Sequence, residues 1–193
     1  MDIITDGEKA GPRVLALGTF DGVHRGHQEL IRQGRILADQ CGAKLRVCTF
    51  DRHPLQVVRP EAAPPPLQTP GQQAEIMRRC GVDELRIFSF TPEMANTEPE
   101  DFLAMVEGEC ELAGLVAGWN YRFGRKGRGD AQMLREEGER RGWQVIIVPP
   151  VRDEEGAIIS STAIRELLRR GDTEKARQML GHDEFLNFAL ESK

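Results

Sequence analysis

The 193 residues hold no apolar run near the length of a membrane span, so no segment is expected to cross a bilayer as a helix. Met1-Asp2 opens no secretory signal pattern. Cysteine is sparse: Cys41, Cys48, Cys80 and Cys110 are scattered, and none forms a C-x-x-C pair. That spacing disfavours a structural zinc or a catalytic cysteine and reads as reduced thiols in a cytoplasmic protein. Positive charge is not in surplus. The formal net charge of -5 argues against nucleic acid held on a global basic surface, though it leaves room for a local basic pocket. Repeats are absent, as is low-complexity sequence beyond a proline-rich stretch at 60–70. With 39% hydrophobic and 30% charged residues, the chain has an ordinary globular composition. It is long enough to bury a sizeable core. One domain over residues 1–181 with a short tail at 182–193 is the expected organisation.

What is present is concentrated in G-T-F-D-G-V-H-R-G-H, from Gly18 to His27. Before it, Val14, Leu15, Ala16 and Leu17 form an apolar run that reads as a buried strand. After it, residues 28–40 read as an amphipathic helix, with Leu30, Ile31, Leu37 and Ala38 roughly on one face. A strand that feeds a glycine-rich turn and then a helix is an anion-binding corner of α/β folds. The glycines let backbone N–H groups approach a phosphate, and the helix start adds partial positive charge. His24 and His27 lie three apart and can share a face. Together they can donate hydrogen bonds to charge that develops in phosphoryl transfer. The competing reading is a glycine-rich surface turn with two solvated histidines.

The rest alternates strand and helix. Ile3-Ile4 suggests a frayed edge strand ending near residues 6–7. Strands are expected at 45–50, 84–90, 115–117 and 143–148, and helices at 71–79, 98–112 and 131–141. This β-α-β order predicts right-handed crossovers and a parallel sheet. Asp51, Arg52, His53 and Pro54 follow a strand at its carboxyl end, where ligands bind in such sheets. The prolines at 60–70 exclude regular structure and read as a loop over a site.

A second glycine-rich stretch, from Gly118 to Asp130, carries four basic residues and three aromatics. It can stack a planar ring and neutralise phosphate, or it is a solvated basic loop. Ile158-Ile159 suggests a short strand. Ser160, Ser161 and Thr162 then open a helix that reaches residue 170, with Ser161 or Thr162 as the natural N-cap. Three hydroxyls there, with Arg165 one turn on, suit a polyphosphate; the plainer reading is that they only cap the helix. A last helix is expected at 173–180.

His24-x-Gly26-His27 is the H-x-G-H signature of the nucleotidylyltransferase superfamily. With T-F-D-R-H-P from Thr49, G-W-N-Y-R-F-G from Gly118, I-S-S-T-A-I-R from Ile159 and G-D-x-x-x-A-x-x-M-L-G from Gly171, the chain resembles the FMN adenylyltransferase module of prokaryotic bifunctional riboflavin kinase/FAD synthetases. The resemblance covers roughly residues 14–181. It implies an α/β, Rossmann-like parallel sheet with flanking helices, and transfer of AMP from ATP to FMN with release of pyrophosphate. It places ATP on Gly18, Phe20, Asp21, His24, Gly26, His27, Ser160, Ser161, Thr162 and Arg165. His24, His27 and Arg165 are its catalytic set. FMN falls to Asp51, His53, Pro54, Asn120 and Phe123. Mg²⁺ is expected on the triphosphate with no protein ligand assigned. Neither nucleic acid nor membrane is an expected partner.

Three departures stand out. Arg52 replaces a proline common in the family, Gln73 stands where a lysine is frequent, and the chain stops soon after Gly181, where bifunctional members continue into a riboflavin kinase barrel. The expectation is therefore adenylylation without riboflavin phosphorylation. Two alternatives remain from the sequence: a non-catalytic flavin or nucleotide binder, and a nucleotidylyltransferase for another phosphorylated substrate.

Overall fold

Strands made of continuous apolar residues are stable only when both faces are covered. In the computed structural model, which describes residues 1–4 and 11–183, the chain meets that demand with a six-stranded, all-parallel sheet. Its strands are β1 (Asp2–Ile4), β2 (Pro12–Leu17), β3 (Lys44–Phe50), β4 (Glu84–Phe88), β5 (Glu111–Gly118) and β6 (Gln144–Val148), in the order β1-β4-β3-β2-β5-β6. Val14 and Ala16 face a core built with Leu30, Ile31, Leu37 and Ala38 of α1 (Arg25–Gln40). Leu15 and Leu17 face the opposite core, with Phe102, Leu103 and Val106 of a later helix. This alternation follows from the two-residue period of a strand.

The remaining helices are α2 (Leu55–Val58), α3 (Pro70–Arg79), α4 (Pro92–Ala95), α5 (Pro99–Gly108), α6 (Ala131–Arg141), α7 (Ser161–Arg170) and α8 (Thr173–Leu180). α1 and α3 cover one face of the sheet; α5 and α6 cover the other. α7 and α8 form a third cluster with Leu67 and Ile159. The chain runs outward from β2 through β3 to β4, then returns to place β5 on the other side of β2. That reversal makes a crevice beyond the carboxyl ends of β2 and β5, where ligands bind in open α/β sheets. Among the described residues no helix is long and apolar enough to cross a membrane.

Several boundaries differ from the sequence reading. α1 begins at Arg25, three residues early, because His24 caps it. α5 stops at Gly108, and Glu111 already pairs beside Pro12 of β2. Glycine is a weak helix former, and sheet pairing claims the segment that helical periodicity had assigned to α5. β1 is the expected edge strand, pairing with β4; its suggested end at 6–7 lies outside the described residues, as does most of the tail. The proline stretch holds a 3₁₀ turn, Pro60–Ala62, and Pro70 opens α3, where Thr69 and Gln72 form a capping box. Ile158 makes one isolated antiparallel bridge to Arg152 instead of a strand.

At the amino-terminal end of the α5 face, ions take the place of apolar side chains. Arg46 and Glu84 are 1% and 3% exposed. Glu84 accepts from Arg13 Nε at 2.8 Å and from Arg46 Nε at 2.8 Å. Burial opposes its ionisation, but the hydrogen bonds from Arg13 and Arg46 outweigh that and hold its carboxyl at about 2. The network's stability is therefore complete above the ordinary carboxylate value near 4.5 and is lost as pH falls from there towards 2. Glu84→Gln strips the counter-charge from two buried guanidinium groups. It should cost about 3–5 kcal/mol, read as a lower urea midpoint at neutral pH. A midpoint equal to wild type would mean that the network does not hold the sheet.

Candidate active site

The corner between β2 and α1 is held in an unusual backbone shape. Phe20 has φ 52°, Gly22 82° and Val23 33°. A left-handed, β-branched Val23 is costly and persists only where neighbours over-determine it. Gly22 suits this position because any side chain at φ 82° would be strained, and its Cβ would also push Leu67 Cδ1, 2.8 Å away. The neighbours act on the carbonyls. Thr19 O accepts from Thr49 Oγ1 at 3.0 Å, and Phe20 O from Gln68 Nε2 at 3.0 Å. Gln73 Nε2 reaches both, at 3.2 and 3.1 Å. Asp21 O accepts from Ser161 Oγ at 2.7 Å, Gly22 O lies 3.0 Å from His182 Nε2, and Val23 O accepts from Gln28 Nε2 at 2.9 Å.

His24 is the N-cap of α1, and its Nδ1 accepts from the backbone N–H of His27 at 3.4 Å. An accepting Nδ1 leaves the ring proton on Nε2, so His24 has one donor to offer. The rings of His24 and His27 stack with centroids 3.8 Å apart and planes at 18°. Gly26 makes room for this: a Cβ there would meet the His24 ring at 3.1 Å. Burial, and then the charge of His182, lower His24 from 6.5 to about 4; its own backbone hydrogen bond partly opposes this. Burial and His24 push His27 well below its ordinary value. Both imidazoles are thus neutral at pH 7, and among the described residues His27 Nδ1 is buried with no hydrogen-bond partner.

These residues line a cleft of about 620 Å³, within the usual range for a small-molecule site. Gly18, Asp21, His24, Gly26, His27, His53, Pro54, Asn120, Ser160, Ser161, Thr162 and Arg165 all reach it. The structure thereby gathers most of the expected site residues from four separate stretches of sequence. Ser160, rather than Ser161 or Thr162, is the N-cap of α7: its backbone is extended (φ −154°, ψ 158°) and its Oγ accepts from Ala163 N at 3.2 Å. Arg165 pairs with Asp21 Oδ2 and donates from Nε to Pro65 O at 2.8 Å. Asp21 Oδ1 accepts from Leu67 N at 2.9 Å. One ion pair thus ties the glycine corner, the proline stretch and α7 together.

Three expected residues lie elsewhere. Phe20 is fully buried and packs its ring 5.1 Å from that of His27. Phe123 is 5% exposed, between Phe102 and Tyr121, with Gly129 against its ring. It belongs to the core. The aromatics of that loop that face the cleft are Tyr121 and Trp119, the latter 48% exposed. Asp51 lines a smaller adjoining cavity of about 270 Å³, with Arg52 and Gln73. There it accepts from Phe90 N at 2.9 Å and pairs with Arg52 at 3.0 Å. His53 and Pro64 border both cavities. Of the four basic residues in the second glycine-rich stretch, Arg122 lines the cleft, while Arg125 and Arg128 pair with Glu98. Arg169 adds a further cation at the rim.

The FAD synthetase family model matches residues 6–163. The chain belongs to the FAD synthetase family. A bifunctional riboflavin kinase/FMN adenylyltransferase from Listeria monocytogenes is 36% identical over 174 residues, 88% of this chain and 54% of that protein. A protein named FAD synthetase from the same organism is 30% identical and matches 93% of this chain and 72% of its own length. The chain spans about half the length of the bifunctional relatives it matches. The crystal structure of a macrolide-efflux protein from Streptococcus pneumoniae superposes with a TM-score of 0.80 at 31% identity, over 93% of this chain and 59% of that one.

The depressed values have a measurable consequence. The unfolded chain takes up protons near 6.5 that the folded His24 refuses until about 4. Stability is therefore complete above 6.5 and declines as pH falls towards 4. In ¹H–¹⁵N spectra of the imidazoles, His24 should stay neutral at pH 5 and titrate near 4. A midpoint at 6.5 would show that the ring is solvated.

Proposed function

We propose that this FAD synthetase family member transfers AMP from ATP to FMN, giving FAD and pyrophosphate. The observation that carries this reading is the stacked, neutral His24–His27 pair at the start of α1, facing the hydroxyl-rich start of α7 across one cleft. In the reaction, an oxygen of the FMN phosphate forms a bond to the α-phosphorus of ATP, and the bond from that phosphorus to the bridging β-oxygen breaks. No covalent enzyme intermediate is required. What the chain supplies is positioning and stabilisation of charge on the phosphoryl oxygens.

In this proposal His24 donates from Nε2 to the α-phosphate, and His27, stacked beside it, donates its own ring N–H to the charge that develops there. The amino end of α1 adds its partial positive charge. Ser160, Ser161 and Thr162 take the β- and γ-phosphates, with Arg165 and Arg169 as cations. The flavin lies towards His53, Pro54 and the adjoining cavity, with Asn120 and the exposed face of Trp119 on the opposite wall. Tyr121 and Trp119 replace Phe123 as the ring-facing aromatics. Among the described residues, Asp21 is the one acidic side chain lining the main cleft, and it is engaged by Leu67 and Arg165. Mg²⁺ would therefore be held chiefly by phosphate oxygens and water, as its chemistry allows, and would neutralise charge on the triphosphate. The proposal includes a cytoplasmic location, which the four free thiols support.

Purified protein supplied with ATP, Mg²⁺ and FMN should yield FAD on chromatography of the flavins. Loss of one donor to transition-state charge costs on the order of 10²–10³ in rate, so His27→Ala should retain its far-UV spectrum and lose that much turnover. Unimpaired turnover in a folded His27→Ala protein would exclude this histidine from the chemistry. Bound flavin without FAD would favour a non-catalytic binder. The same assay with riboflavin in place of FMN checks the expectation that riboflavin is left unchanged.

Arg165→Ala should weaken ATP more than FMN, by about 1.5–3 kcal/mol for a charge-assisted contact. Calorimetric titration of each substrate separates the two. Impaired FMN with unaltered ATP affinity would reverse the assignment of the two ends of the cleft.

A further inference from the structure

α8 and the residue that follows it are outside the segment that matches the family model, which ends at residue 163. They nevertheless seat directly on the histidine corner. Gln28, in the first turn of α1, donates from Nε2 to Val23 O at 2.9 Å and to Leu180 O at 2.8 Å. Gly181 closes α8 with φ 73°, and a Cβ at that position would meet Arg25 Cγ at 2.9 Å and the Gln28 amide at 3.3 Å. Leu180 is buried, and its Cδ2 lies 3.4 Å from where a Cβ on Gly22 would stand. The next residue, His182, places Nε2 3.0 Å from Gly22 O. A carbonyl oxygen can only accept, so Nε2 is the donor.

We propose that His182 is a positioning residue of the active site: by donating to Gly22 O it fixes the strained corner from which His24 and His27 reach ATP. The proposal rests on the adenylyltransferase reading for its substrate. Three of the four residues before His24, namely Phe20, Gly22 and Val23, have positive φ. Such a segment keeps its shape only while each peptide plane is held. The planes at Thr19, Phe20 and Asp21 are held by Thr49, Gln68, Gln73 and Ser161. For the two planes nearest His24, the side-chain holders are His182 and Gln28. The Gly22–Val23 peptide is also anchored by Val23 N–H donating to Phe20 O at 3.1 Å, so releasing its oxygen leaves it held at one end only and lets it tilt about glycine's soft dihedrals. The Val23–His24 plane would follow, and with it the N-cap imidazole. His182 thus acts two residues from His24 without touching substrate.

The test compares wild type with His182→Ala and His182→Gln, since a glutamine amide restores a donor near the same reach. Readouts are ATP affinity with Mg²⁺ in the absence of FMN, the KM for FMN, kcat, and the imidazole resonances of His24 and His27. His182→Ala should weaken ATP and lower kcat by about tenfold, the scale of one net hydrogen bond. The KM for FMN should stay within about twofold and the His24 resonance should shift. His182→Gln should return all of these to within about threefold of wild type. Wild-type ATP affinity, kcat and imidazole resonances in His182→Ala would overturn the proposal. So would equal impairment in both variants, which would assign the effect to ring packing. If His182→Ala does not fold, His182→Gln alone decides: near-wild-type values support the donor role, and a tenfold loss refutes it. A wild-type protein that binds no ATP and makes no FAD would sink the adenylyltransferase reading instead, while the imidazole resonances would still decide whether His182 holds the corner.

Discussion

Five consecutive carbonyls, from Thr19 to Val23, are each held by a side chain from elsewhere in the chain. Everything else at the site depends on that restraint. A loop with Phe20 and Val23 in the left-handed region is unfavourable by itself, so its geometry must be imposed from outside. The donors come from β3, the proline stretch, α1, α3, α7 and the end of α8. The corner is consequently not a local motif that any strand–turn–helix would adopt. It is the point at which the separate layers of the fold converge, which is why residues as distant in sequence as Gln28 and Leu180 share one hydrogen bond.

The sheet divides its labour between its two ends. At the amino-terminal end, Arg13, Arg46 and Glu84 form a buried ionic network on the α5 face. Such a network contributes little net stability over an apolar core, but breaking it is costly. At the carboxyl end, the strands stop in glycines and polar loops, and the cleft opens between them. The strained backbone sits at this end, next to β2, the strand paired on both sides by β3 and β5.

Much of this was legible in the sequence, for physical reasons. Parallel strands covered on both faces are rich in apolar residues, so Val14 to Leu17 announces itself, although β3 and β4 also carry the buried Arg46 and Glu84. Glycines beside histidines, and hydroxyls before a helix, follow from what a phosphate needs. Contacts between distant segments were not legible. Nothing in the residues at 98–112 says that the sheet will claim Glu111, and nothing in the string W-N-Y-R-F says which aromatic turns inward. Phe123 does so because Gly129 lies against its ring, a fact of tertiary packing. Gln73 likewise has no local meaning. Standing where lysine is frequent in the resembling family, it holds Thr19 O and Phe20 O, so an amide here serves the loop's backbone.

The neutrality of the histidine pair follows from the same packing. Two imidazolium ions with centroids 3.8 Å apart would repel strongly in a buried site, and burial already disfavours a charge on either ring. A neutral imidazole donates one N–H, so under the proposed function each ring offers the phosphate a hydrogen bond without adding a charge. In the proposed reaction the positive charge for the polyphosphate comes instead from Arg165 and Arg169 on α7, which line the cleft, and from the helix ends. Arg165 is held in turn by Asp21 and Pro65 O, which makes the cation part of the scaffold that shapes the cleft. Under the proposed function, a phosphate at α7 meets a guanidinium already oriented by Asp21 of the corner, so phosphate recognition and corner geometry rest on one set of contacts.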